Sequence, residues 1–141
     1  MINYINKGKW LNNAILDAGI GIFEDATLGW VVSDPIAAQV IIDSFDPLPF
    51  AKDEKIEELK AEGARRAALV YSFVGDDPRA WYNFMGDIIT MVKPAARDPM
   101  PQRLLNFKQV RDVVIAAVAE INAMTDWQVV ASYDVVNTPV W

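Results

Sequence analysis

The sequence predicts a mainly α fold (α+β): a helical domain of about four to six helices carrying a small N-terminal antiparallel β-hairpin. Three observations lead there. Apolar residues recur every three or four positions in several segments, as in Ile56, Leu59, Gly63, Ala67, Val70 and Val74. Asp34-Pro35 and Asp77-Pro78 each stand before such a segment, the pattern of a capped helix start. One short region, Ile20 to Val32, instead mixes glycine with β-branched and aromatic residues in the manner of strands.

Taken in order, Trp10, Leu11, Ala14, Ile15 and Ala18 have helical spacing, and Gly19 is placed to end that helix. Ile20 and Ile22, a turn at Glu24–Thr27, and Gly29–Val32 then form the hairpin. A lone hairpin is marginal, so it must pack on something. Asp34 caps the next helix, whose stripe is Ile36, Val40, Ile41 and Phe45. Asp46-Pro47-Leu48-Pro49 stops it, because proline disfavours helix at the preceding residue.

A long helix is predicted over 51–73. Its early carboxylates (Asp53, Glu54, Glu57, Glu58) and late Arg65 and Arg66 complement the helix dipole, and Glu62–Arg66 is an i,i+4 pair. Gly63 costs about 1 kcal/mol against Ala, which marks a close approach by a neighbouring element. Trp81, Phe84, Met85, Ile88, Ile89 and Val92 outline a further helix ended by Pro94, with an ordered crossover loop over 93–102. Asn106 is expected to cap a helix over 107–123, with Val110, Val113, Val114, Ala117, Val118 and Ile121 facing the core. Thr125 or Asp126 starts a last short helix through Tyr133, and Asn137–Trp141 reads as an extended, anchoring tail.

The length of 141 residues fits a single domain, 1–141. The break at Asp46–Pro49 leaves room for a helix–hairpin subdomain, 1–46, and a helical part, 47–141. With 52% apolar and 11% aromatic residues, the chain is not a disordered acidic tail. The longest uninterrupted apolar run is the seven residues Val113–Ala119. A membrane span needs about 20. The first 12 residues lack the apolar core of a secretory signal.

Composition narrows the chemistry. There is no Cys and no His, which removes disulfides, thiolate nucleophiles, imidazole ligands and Ser–His pairs. A net charge of −6 with scattered basic residues argues against nucleic-acid binding. No phosphate-binding glycine loop and no GxSxG elbow is present. Asp76 and Asp77 before a helix read as caps, Asp43 and Asp46 as helix-end and turn residues, and Glu54, Glu57, Glu58 and Glu62 as a solvated face. Metal-binding helical bundles normally add His to such glutamates. The expectation is a non-enzymatic protein with no catalytic residue, no cofactor and no metal.

The tryptophans divide. Trp30, Trp81 and Trp127 lie in apolar patterns and are expected in the core. Trp10 follows Lys7-Gly8-Lys9, and Trp141 closes the sequence given, after Pro139 and Val140. Trp10, Pro139, Val140 and Trp141 are the candidate partner-binding residues, since aromatic anchors concentrate at interface centres. Trp141 docks either on its own fold or on a partner.

The stretch Gly29-Trp30-Val31-Val32-Ser33-Asp34, then Ala38–Pro49 (AQVIIDSFDPLP), Ala51-Lys52 and Lys55–Glu62 (KIEELKAE), resembles one found in small proteins of tailed bacteriophages. Related stretches end some tail-fibre polypeptides. Ala116–Val130 is similar to helical ends of the same proteins. The resemblance covers 15–62 and 113–141, and it carries no catalytic residue. It implies a structural protein of the tail tip, baseplate or fibre, made in the host cytoplasm and retained in the virion. Its implied partners are other phage tail proteins, with homo-oligomers by analogy to tail symmetry. A fibre-assembly chaperone absent from the virion, or a small phage regulator that inhibits a host protein, are the alternatives.

Overall fold

The computed structural model describes residues 2–71, 85 and 102–141. They are mainly helical, 64% helix in five helices, with one two-stranded antiparallel hairpin. The elements are α1 (Lys9–Asp17), β1 (Ile22–Asp25), β2 (Gly29–Val32), α2 (Pro35–Ser44), α3 (Leu48–Tyr71), α4 (Gln102–Ala123) and α5 (Trp127–Ala131). The chain divides into two compact units, Met1–Ala51 and Lys52–Trp141. The predicted helix through Trp81 and Val92, the crossover loop up to residue 101, Val74 and the Asp76–Asp77 pair lie outside the described residues, apart from Met85, which is helical and exposed; Gln102, the expected end of that loop, is helical instead.

In the N-terminal unit, α1 ends as its sequence foretells. Gly19 takes a φ of 76°, a left-handed conformation that side chains resist, and its N–H bonds the Leu16 carbonyl at 2.9 Å. The hairpin pairs Ile22 with Val32, Phe23 with Val31, Glu24 with Trp30 and Asp25 with Gly29. Asp25 Oδ1 accepts the N–H groups of Thr27 and Leu28, both at 2.8 Å, and so builds the turn. Asp34 Oδ1 caps α2 by accepting from Ile36 N at 3.1 Å and Ala37 N at 3.0 Å. The core is Leu11, Ile15, Ile20, Ala38 and Ile42, with Ile22 and Val32 of the hairpin packed against it. Each fully buried Leu or Ile there contributes about 1.5–3 kcal/mol.

Two expectations fail in this unit. Ile36 and Val40 are not core: they are 82% and 64% exposed, while Ala38 and Ile42 are fully buried. Helix α2 is apolar on nearly every side, so spacing alone cannot choose the inward face; the small Ala38 is the residue that packs inward. Trp30 is not core either, being 69% exposed. It stands near the open turn end of the hairpin, past the reach of the core that covers Ile22 and Val32.

Residues 2–8 form a strap with no helix or strand. Asn3 N donates to Gln39 Oε1 at 2.8 Å. Lys7 Nζ donates to the Ile42 and Phe45 carbonyls at 2.6 and 2.7 Å, and so satisfies the free end of α2. Phe45 leaves the helix with a ψ of 127° and stacks on Phe50, ring centroids 5.2 Å apart.

Helix α3 begins at Leu48, three residues before the predicted start. Asp46 Oδ1 accepts from Leu48 N at 3.0 Å, and Pro49 falls in the first turn, where its missing N–H has no helical partner to lose.

In the C-terminal unit, α3 and α4 run in opposite senses. Lys52 Nζ reaches the Asn122 carbonyl at 2.7 Å, and Gly63 meets Val114. A Cβ on Gly63 would lie 2.5 Å from Val114 Cγ2, so the glycine is the close approach its cost suggested. Leu59, Leu104, Ala117, Ile121, Val130 and Tyr133 are buried, whereas Val110, Val113, Val114 and Val118 are only half-buried. Asn106 does not cap α4, which starts earlier at Gln102; its Oδ1 instead accepts from Gln102 Nε2 at 2.8 Å, one turn back along the helix. Asp126 caps α5 through Gln128 N at 2.8 Å. Trp127 is half-buried.

The tail is not extended. Asp134 Oδ1 accepts from Val136 N and Asn137 N at 2.9 and 3.1 Å, and Thr138 N bonds the Asp134 carbonyl at 2.9 Å, curling the chain. No described helix is long and apolar enough to cross a membrane.

Candidate functional site

The charged side chains come first, because any catalytic reading rests on them. Glu62 accepts from both Arg65 Nη2 and Arg66 Nε at 2.7 Å. The Arg65 hydrogen bond, with help from Arg66 and against partial burial, pulls its pKa from 4.5 to about 2. Glu57 pairs with Lys60 and Glu58 with Lys55, each at 2.7 Å. Asp112 is held below the usual carboxylate range by Lys108 and then Arg111. Asp134 is lowered by the Asn137 side chain and then by backbone N–H groups, and Asp25 by the Leu28 and Thr27 N–H groups.

All four of these carboxylates move toward the ionised state. A general acid working near neutral pH needs the opposite shift. Asp43 accepts from Gln39 Nε2 at 2.8 Å, and Asp46 serves the α3 start described above. Among the described residues, no group of three or more Asp and Glu side chains is arranged to hold a metal ion. Tyr133 is pushed above its ordinary pKa, first by burial and then by the neighbouring Glu120 carboxylate, 3.2 Å from its hydroxyl.

Two apolar features remain. In the C-terminal unit, Trp141 folds back on its own chain. Its indole N–H donates to the Val135 and Val136 carbonyls at 3.3 and 3.1 Å. The Arg66 guanidinium lies 4.5 Å from the ring centroid, a cation–π contact worth about 0.5–1 kcal/mol where exposed. Glu62, Arg66 and Trp141 therefore form one chain of contacts. Pro139 is half-buried and Val140 exposed. Trp10, in the N-terminal unit, is half-buried on α1 with Lys9 Nζ 5.7 Å from its ring.

The second feature is a cleft in the N-terminal unit. Directly opposed residues of an antiparallel pair share a face. Ile22–Val32 and Glu24–Trp30 therefore point the same way, but only the first pair meets the core. Trp30 overhangs. Beneath it, Ile2, Tyr4, Asn12 and Ile15 complete an apolar cleft of about 440 Å³. An adjoining recess of about 660 Å³ shares Ile2, Tyr4, Trp30 and Val32 and extends along β2 to Leu28 and Pro35. Tyr4 is held by its hydroxyl, which donates to Asn12 Oδ1 at 3.3 Å.

The sequence reading missed this cleft. One signal for it is arithmetic: counting outward from the turn pairs Trp30 with Glu24 and puts both beyond the core-facing pair. The strap that supplies Ile2 and Tyr4 has no such signal, because its place depends on Lys7 and Asn3 meeting α2 from afar. Compared with protein families, curated proteins and solved structures, the chain matches none.

Proposed function

We propose that the chain is a non-enzymatic structural component of a bacteriophage tail, in the tip, baseplate or fibre, working through protein–protein contacts. The resemblance of Gly29–Glu62 and Ala116–Val130 to tail-associated phage proteins supplies the setting. The observation that carries the contact role is the surface of the N-terminal unit. Leu28, Trp30 and Ile36 are 73%, 69% and 82% exposed, and Phe23 and Val40 are also exposed. Single exposed apolar residues are ordinary, but Leu28 and Trp30 line one recess together, and an apolar recess with exposed walls marks a binding surface. The polar groups support the same reading, since the paired and hydrogen-bonded carboxylates hold turns, helix starts and ion pairs.

Mass spectrometry of purified virions tests the proposal. The chain is expected among the tail proteins at a stoichiometry fixed relative to them. Absence from the particle, together with co-purification with fibre protein during expression, would replace this reading with an assembly chaperone.

A further inference from the structure

We infer that the cleft along β2 receives an extended protein segment that carries both apolar and basic side chains. The inference rests on the contact role proposed above and names the chemistry of the partner.

The apolar half of the argument is the shape. Among the described residues the cleft follows an edge strand of a two-stranded sheet, so the outer side of that strand has no strand partner there. An extended segment can add to such an edge through its main chain and place every second side chain against one face. Trp30, Tyr4 and Ile2 offer that face an aromatic and aliphatic wall.

The basic half is the charge. Residues 1–51 hold two lysines against five Asp and one Glu, a net charge of −4 out of −6 for the whole chain. Both lysines are engaged at home: Lys7 on α2 carbonyls, Lys9 beside the Trp10 ring. Glu24 stands across the hairpin from Trp30, Asp25 is in the turn, and Asp34 lies between β2 and α2. None of the three forms an ion pair among the described residues, and each is exposed. Glu24 on the Trp30 face, and Asp34 next in sequence to Pro35 of the recess, thus set uncompensated negative charge beside the apolar floor. A second copy would bring the same −4 to the contact, which disfavours it as the occupant.

Calorimetric titration of the full chain tests this with two synthetic peptides about eight residues long, a usual strand length. One alternates Leu with Lys, the other Leu with Glu. The Leu–Lys peptide is expected to bind, more weakly as salt rises, and the Leu–Glu peptide not to bind. Trp30→Ser should weaken Leu–Lys binding by at least about tenfold. Trp30 is exposed, so the variant keeps its fold, checked by an unchanged melting temperature; Leu28→Ser is a second, independent probe of the recess. Equal binding of both peptides, or unchanged binding in Trp30→Ser and Leu28→Ser, would overturn the inference. A dimer in sedimentation that Trp30→Ser abolishes would assign the cleft to a second copy and overturn it too. Virion mass spectrometry is independent of these results, so the two proposals fail separately.

Discussion

The two units hold themselves together with different chemistry. In Met1–Ala51 the side-chain carboxylates bond backbone N–H groups: Asp25 makes the turn, Asp34 starts α2 and Asp46 starts α3. In Lys52–Trp141 carboxylates also meet cations, with Glu62 between Arg65 and Arg66, and Asp112 between Lys108 and Arg111. A carboxylate spent on the backbone stays electrically visible, whereas one beside a guanidinium is neutralised locally. The N-terminal unit therefore presents negative charge around exposed apolar groups, while the C-terminal unit spends its charge internally. The same residue type caps backbone in one unit and also pairs with cations in the other.

Five substitutions probe this contrast. Ile42→Ala, at a fully buried position, should destabilise the N-terminal unit by about 2–5 kcal/mol, measured by chemical denaturation. Its core is small, so few neighbours can relax into the gap. In the C-terminal unit, Gly63→Ala gains about 1 kcal/mol of helix propensity. That gain is outweighed by forcing a Cβ against the stiff, β-branched Val114, and overpacking typically costs about 1–3 kcal/mol. The net expectation is a modest fall in melting temperature, and a rise would show that Val114 yields.

A double-mutant cycle on Arg66→Ala and Trp141→Ala should return a coupling of about 0.5–1 kcal/mol. A coupling near zero would mean that Trp141 is held by its Val135 and Val136 bonds alone. The smallest effect is in acid. Glu62 has its pKa lowered from 4.5 to about 2, so its contribution is present above pH 4.5 and is lost as the pH falls toward 2. Carboxyl NMR titration should find its midpoint near 2, and Arg65→Ala should move it back toward 4.5. A midpoint unmoved by Arg65→Ala would show that the pairing does not hold the carboxylate ionised.

Local signals in the sequence proved readable. Asp34-Pro35, Gly19 and Asp126 each specify a conformation within a few residues, and each does so here, while the interior Gly63 marks the close approach of Val114. The start of α3 shows the limit: Asp46–Pro49 does stop α2, but the next helix begins at Leu48 rather than at the expected residue 51, because a proline in a first turn is harmless. What spacing could not show was which side faces inward where a helix is apolar all round. In α2 both the Ile36–Val40 and the Ala38–Ile42 rows are four apart, and only packing decides between them. Nor could it show the curl of the tail, which depends on Asp134 and on Arg66, far away in sequence. The candidate cleft was the least visible part, because its walls come from the strap, α1 and the hairpin together.

The Lys7 strap bears on how the chain leaves the ribosome. One ammonium near the start closes the last turn of a helix that ends 37 positions later, at Ser44. During synthesis, Lys7 must wait with its charge in water until Phe45 has emerged, and α2 ends in open carbonyls until the two meet. Ring closure over such a span grows costlier only slowly with length, so the delay is tolerable. Swapping this lysine for glutamine would remove that ammonium and leave the helix fraying at its trailing edge.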